Sequence, residues 1–277
     1  MTATPIHPPR RLAAEQLRVG YHGDLVIDSL SVEVPPGRVT VVVGANACGK
    51  STLLRTLARA LRPRGGRVTL DGADVAGVGS RELARSLGML PQQPVAPDGI
   101  GVADLVARGR YPHQGWLQQS SADDDAAVAE ALRATATTDL AARDVSELSG
   151  GQRQRVWIAM ALAQDPDVLL LDEPTTFLDL THQIEVLELL AELNRSRGTT
   201  VVMVLHDLNL AARYADHLIV MADGAVLAQG EPGDVITPEV LRAAFALDAL
   251  VVADPVTGGP LIVPRGRMVD AASSQPR

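Results

Sequence analysis

The chain has 277 residues, 46% hydrophobic and 21% charged, with a formal net charge of -8. That length and apolar content suffice for a packed core and exclude a disordered protein except at the ends. The acidic balance and the 3% aromatic fraction argue against sequence-independent nucleic-acid binding, which relies on basic surface and stacking rings. A single cysteine, Cys48, excludes an internal disulfide. The opening MTATPIHPPRR lacks the apolar run of a signal peptide, and the longest apolar runs fall far short of the roughly 18 residues of a membrane span. The expectation is a soluble chain retained in the cytoplasm.

In chain order, Leu12 to Tyr21, Asp24 to Val34 and Gly66 to Asp71 read as antiparallel strands with hairpin turns, a flanking β layer. Four short apolar runs, Val39 to Val43, Leu87 to Leu90, Val168 to Leu171 and Thr199 to Leu205, read as buried strands separated by helical patterns. Alternating strands and helices predict an α/β fold with a parallel sheet covered on both faces, whose ligands bind beyond the carboxyl ends of the strands. Polar residues follow each run at once: the Gly44 loop, Pro91-Gln92, Asp172-Glu173 and His206-Asp207. All four groups are therefore expected on one edge.

Between Gln92 and Gln164 the sequence turns alanine-rich, broken by RGRYPHQG at Arg108 to Gly115, and reads as an inserted helical subdomain with a helix over Ala122 to Ala136. Asp123, Asp124 and Asp125 read as acids at the positive end of that helix rather than as a metal site. Patterning weakens after about Gly230, and the last ten or so residues read as a loose tail. There is no internal repeat.

The stretch GANACGKST matches G-x-x-x-x-G-K-[ST] from Gly44 to Ser51, between a strand and a helical TLLRTLARAL. Such a loop surrounds phosphates with backbone N–H groups from Gly44, Ala45, Asn46, Ala47, Cys48 and Gly49 onward to Thr52, while Lys50 neutralises β and γ oxygens and Ser51 ligates magnesium. Ala47 stands where many such loops carry glycine and is expected at negative φ, since it lacks glycine's freedom. Cys48, beside a helix start and Lys50, is in surroundings that activate a thiol, so alkylation is expected to inhibit, with ATP protecting. Asp172, beyond a buried strand, suits holding magnesium through water, and Glu173 suits orienting or deprotonating an attacking water. Leu148 to Gln152, LSGGQ, precedes a helical run. Ser149 is a good N-cap, and the same terminus, with Gly150 and Gly151, can meet a γ-phosphate. One phosphate loop and one such terminus make best sense if two copies pair head to tail.

The ordered set GANACGKST, LPQ, LSGGQ, LLLDEP, TFLD and LHD resembles the ATP-binding cassette ATPases, a likeness running from about Leu17 to Gly230. It implies a P-loop NTPase fold with a RecA-like sheet core: a cassette over 12–248, with 12–91 and 166–230 as sheet core and β layer, 92–165 as helical subdomain and 231–277 as C-terminal extension. By that resemblance Tyr21 stacks on adenine, and Gln92 senses γ-phosphate, magnesium and the membrane subunit. Ser149 to Gln152 and Asp179 serve the opposite copy, Glu173 is the catalytic base and His206 touches the γ-phosphate. The cofactors implied are ATP and magnesium. The partners are a second copy, a membrane permease and, indirectly, a substrate-binding protein, with no nucleic acid, at the cytoplasmic face of the membrane. ARGRYPHQGW, TTFLDLTHQIEVLELL and HDLNLAARYADHLIVM look like the import ATPases of ferric-siderophore, haem and cobalamin permeases, nearest the siderophore branch. RGRYPHQ falls where that family receives the permease's coupling helix; a surface turn is the plain alternative. A soluble cassette ATPase acting on DNA or ribosomes would bring a second cassette or a coiled-coil insertion, and a non-hydrolysing regulatory module would not need Lys50, Glu173 and His206 together.

Overall fold

The computed structural model describes residues 10–115 and 121–267. Chain order begins with strands β1 (Leu12–Tyr21), β2 (Asp24–Val34) and β3 (Val39–Gly44), then helix α1 (Lys50–Leu57), strands β4 (Gly65–Leu70) and β5 (Ala73–Asp74), helix α2 (Ser80–Ser86) and strand β6 (Leu87–Leu90). Helices α3 (Val102–Ala107), α4 (Ala122–Ala134) and α5 (Gly150–Ala163) follow, and then β7 (Val168–Asp172), α6 (Leu180–Arg197), β8 (Thr200–Val204), α7 (Leu208–Tyr214), β9 (His217–Ala222) and β10 (Ala225–Gly230).

The central sheet has the order β10-β9-β3-β8-β7-β6, parallel from β9 to β6, with β10 antiparallel on the edge. The apolar runs predict four of its strands; β9 is a fifth parallel strand that they leave out. Strand periodicity divides the core in two. Val41, Val43, Leu169, Leu171, Val201 and Met203 face the helices, whereas Val42, Val168, Leu170, Val202 and Val204 face α1 and the antiparallel sheet β2-β1-β4-β5. Both faces of the central strands β3, β7 and β8 are buried, which leaves them no solvent side on which a polar residue could stand.

Helices α4, α5 and α6 start where the sequence supplies caps. Ser121 and Ser149 each form a reciprocal capping box, with Asp124 and Gln152 three residues on, and Asp179 caps α6. Gly198, at φ 73°, closes α6 in a left-handed C-cap. Helix α1 is shorter than the predicted helical run, because Arg59 turns the chain at φ 57°. Of the three consecutive acids in the first turn of α4, Asp124 is not a surface charge. It is buried, pairs with the equally buried Arg110 at 2.9 Å, and thereby fastens the RGRYPHQG turn to α4, while Arg110 also donates to the Ala163 carbonyl at the end of α5. Among the described residues no group of acids, histidines or cysteines is arranged to hold a metal without a ligand's help, and no helix is long and apolar enough to cross a membrane.

The weakly patterned C-terminal stretch is ordered structure. Helices α8 (Pro232–Val235) and α9 (Pro238–Phe245) lead into a hairpin of β11 (Leu247–Ala253) and β12 (Pro260–Arg267). The hairpin is fastened to α7 by Asn209, which accepts from Ile262 N at 2.8 Å and donates to Ile262 O. A boundary at 248 therefore falls inside β11. The expected tail over the last ten residues lies outside the described residues.

Removing one member of a buried ion pair strands the other, so Asp124→Ala is expected to lower the unfolding free energy by about 3–5 kcal/mol in urea titrations. The hydrogen bond from Arg110 holds the Asp124 carboxyl below the usual range. A depressed acid stabilises above its unfolded pKa and loses that contribution as pH falls through the folded one. Asp124→Asn is accordingly expected to make stability less dependent on pH below the ordinary carboxylate range.

Candidate functional site

Strands β3, β6, β7 and β8 are parallel neighbours in one sheet, so their carboxyl ends deliver Gly44, Gln92, Asp172-Glu173 and His206 to the same edge. The Gly44 to Thr52 loop joins β3 to α1. A Cβ at Gly44 would lie 2.3 Å from the Met221 carbonyl and 2.6 Å from Cys48 Sγ, so only glycine fits between β9 and the loop. Ala45, Asn46 and Ala47 are exposed, and Gly49, at φ 104°, starts α1. Ala47 has φ 64°, which corrects the expected negative value. The loop must curl into the left-handed region to bring successive N–H groups inward, and alanine accepts a strain of about 1–2 kcal/mol there. Its methyl points to solvent, so no clash is added.

Cys48 is only 7% exposed, packed beneath the loop. A reagent reaches it only when the loop opens, which weakens the case for a readily alkylated thiol. Lys50 is buried, and its ammonium donates to the Gly44 and Ala45 carbonyls at 2.9 and 2.8 Å, close to the N–H groups it would serve with. Thr52 is buried in the first turn of α1, its carbonyl accepting from Thr56 Oγ1.

Ser51 Oγ donates to Asp172 Oδ1 at 2.8 Å. Asp172 Oδ2 is buried without a hydrogen bond, and the nearest cation, Arg55 Nε, is 3.6 Å away. Burial pushes the Asp172 carboxyl above its usual range, against the opposing hydrogen bond from Ser51. A hydroxyl touching a carboxylate with one unsatisfied buried oxygen is an oxygen donor set that suits magnesium with its retained waters.

Glu173 sits at φ 54°, a strained conformation held by three partners. His206 Nε2 lies 2.7 Å from Oε1, while Gln92 Nε2 at 2.5 Å and Thr176 Oγ1 at 3.0 Å both donate to Oε2. The carboxylate is thus aimed from both sides. Gln92, Glu173 and His206, far apart in sequence, are joined here in one hydrogen-bonded group.

Ser149 accepts from Gln152 N and Gln152 Oε1 accepts from Ser149 N, so the capping role holds; Ser149 and Gly150 remain exposed at the start of the 14-residue α5. Asp179 accepts from both His182 N at 3.0 Å and His182 Nδ1 at 2.7 Å. Tyr21 is exposed at the closed end of the β1–β2 hairpin, whose Val26 and Ile27 side chains would meet a Cβ at Gly49. Thr176, Arg55 and His182 escape sequence reasoning. Only Thr176, a hydroxyl three residues after Glu173 across a turn, carries a local signal.

The ABC transporter family model matches residues 27–176. The chain belongs to this family, and it is an ATP-hydrolysing cassette subunit. It is 52% identical over 92% of its length to the probable siderophore transport system ATP-binding protein YusV of Bacillus subtilis, of which it covers 93%. Against the ferric enterobactin transport ATP-binding protein FepC of Escherichia coli the identity is 50%, with 95% of this chain and 97% of that protein covered. The dimeric structure of MJ0796, a bacterial ABC transporter cassette, superposes with a TM-score of 0.71 at 26% identity, covering 79% of this chain and 98% of that one. The α/β architecture and the flanking antiparallel sheet are those of the cassette fold.

Because Ala47 is left-handed with a solvent-facing methyl, Ala47→Gly is expected to leave ATP hydrolysis intact. It should change stability by less than about 1 kcal/mol, relief of strain offsetting a freer unfolded chain. Ala47→Val, branched and strained at the same φ, is expected to lose both Tm and ATP affinity. Thermal unfolding with and without ATP reads both effects.

Proposed function

We propose that this chain powers uptake of an iron(III)-siderophore complex, two copies closing head to tail on ATP and working against a membrane permease at the cytoplasmic face. The observation that carries the reading is the one sheet edge where Lys50, the Ser51–Asp172 pair and the Gln92–Glu173–His206 group converge, in a chain half identical to siderophore-system ATPases.

In this reading the Gly44 to Thr52 amides and Lys50 bind the phosphates, with Tyr21 against the base. Ser51 and Asp172 would hold magnesium, with Gln92 nearby; the ion supplies charge neutralisation at the phosphate oxygens. Glu173 takes the proton of the attacking water, oriented for it by Gln92 and Thr176, and His206 stands at its other oxygen, placed to reach the γ-phosphate. Most of the rate gain is positioning and electrostatics. The second copy contributes Ser149, Gly150, Gly151, Gln152 and Asp179. Phe177 and Leu180, flanking Asp179, are 86% and 63% exposed, and Phe177 is held at φ 66°. Such an apolar pair beside a polar contact residue suits burial against another copy.

Residues 92–165 act as the subdomain that faces the permease. A cleft of about 390 Å³ opens there between α3, α4 and the RGRYPHQG turn, lined by Asp104, Arg108, Tyr111 and Gln114 among others. The exposed Tyr111 and the charged rim suit an amphipathic segment of the permease. The cargo is chosen by the permease and binding protein, which places the substrate-binding protein as an indirect partner.

Glu173→Gln is expected to bind ATP, to lose turnover by about 10²–10⁴-fold, and to accumulate as an ATP-bound dimer. Near-normal hydrolysis would overturn the base assignment. In a complex reconstituted with a siderophore permease, ferric siderophore with its binding protein is expected to stimulate ATPase activity; stimulation by haem or cobalamin alone would reassign the cargo.

A further inference from the structure

We propose that His182 is a positioning residue that locks together the two elements this chain gives to its partner's nucleotide, the LSGGQ helix start and Asp179. The inference rests on the head-to-tail pairing proposed above. The two elements come from different parts of the fold: α5 ends the helical segment, whereas Asp179 caps α6 after β7.

Asp179 does more than an ordinary N-cap. Its Oδ1 accepts the His182 backbone N–H at 3.0 Å, as a cap does, and also the His182 ring at 2.7 Å. These bonds, the backbone one foremost, hold the Asp179 carboxyl below its usual range, so it is the acceptor and Nδ1 carries the proton. The other side of the imidazole lies on α5. A methyl at Gly151 would sit 2.8 Å from His182 Cδ2 and 3.1 Å from Cγ, so the ring occupies the space that the absent side chain leaves. The second glycine of LSGGQ thus has a reason within this chain, apart from any phosphate contact. One turn further along, Arg155 of α5 donates to Glu185 of α6 at 3.2 Å, continuing the same seam. Gln183 donates to the Leu178 carbonyl at 3.0 Å and steadies the turn that carries Phe177 and Asp179.

One ring therefore fixes the carboxylate of Asp179 relative to the exposed amides of α5. Both elements must reach the opposite copy together, and a copy in which they move independently loses dimer affinity while its own phosphate loop, remote in sequence, still binds ATP.

The test uses the full chain carrying Glu173→Gln, comparing His182→Ala, His182→Asn and Asp179→Ala, alone and combined. Binding of a fluorescent ATP analogue to the monomer is measured beside ATP-dependent dimerisation by analytical ultracentrifugation. His182→Ala is expected to weaken dimerisation about tenfold or more, the loss of a hydrogen bond to a charged group, with monomer ATP affinity within about twofold. His182→Asn, which keeps an N–H for Asp179, is expected to recover part of the loss. Adding His182→Ala to Asp179→Ala is expected to cost little more. Unchanged dimerisation in His182→Ala, equal losses in ATP binding and dimerisation, or fully additive losses with Asp179→Ala would each overturn the proposal. If Glu173→Gln alone fails to dimerise with ATP, the pairing itself is wrong, and this inference falls with it.

Discussion

A strand buried on both faces has almost no place for polar chemistry along its length. In β3, β7 and β8 nearly every side chain is fully buried, and apart from Thr40, Thr200 and the terminal Asp172 all are apolar. Polar groups are displaced to the strand ends, and parallel pairing gathers those ends at one edge. The phosphate loop, the Asp172-Glu173 pair, Gln92 and His206 are neighbours because the core between them admits nothing else. The two halves of that core, one toward the helices and one toward the antiparallel sheet, hold the edge rigid from both sides.

Rigidity lets the edge carry strain. Ala47, Glu173 and Phe177 all have left-handed backbones, and all lie in the connections that follow β3 and β7. Each costs on the order of 1–2 kcal/mol in isolation, more than a loop without a packed base could sustain. Their effect is directional: curled amides at 47, a carboxylate at 173 aimed between two donors, and an aromatic ring at 177 turned outward. Asp172 is arranged by burial in the same way. Its carboxylate is costly to bury with one oxygen unsatisfied, a cost that a bound cation would reverse.

Much of this was legible in the sequence, because the signals were local. The apolar runs mark four parallel strands, the turn chemistry marks the hairpins, Ser149 marks a helix start, and the polar residue after each run marks the edge. The illegible parts depend on contacts distant in sequence. Locally, only its place three residues after Ser121 sets Asp124 apart from Asp123 and Asp125; Arg110, folded back against α4, is what makes it a buried ion-pair partner. The φ of Ala47 is imposed by the loop's task and not by alanine's preference. Strand β9 is the exception, since its apolar run from Leu218 to Ala222 is as legible as the other four, whereas the C-terminal hairpin is fastened through the distant Asn209. His182 belongs to the site through Gly151, about thirty residues away on another helix.

On the proposed pairing each nucleotide site is a property of two chains, with one supplying the phosphate loop and the other the α5 terminus. The most direct measurement is cross-linking in a Cys48→Ser, Glu173→Gln background, with Ala45→Cys and Ser149→Cys introduced on the same chain and a short bifunctional thiol reagent added. The expected product is a covalent dimer that forms with ATP and not without it. A product joined only within one chain, or a dimer yield indifferent to ATP, would contradict the shared site.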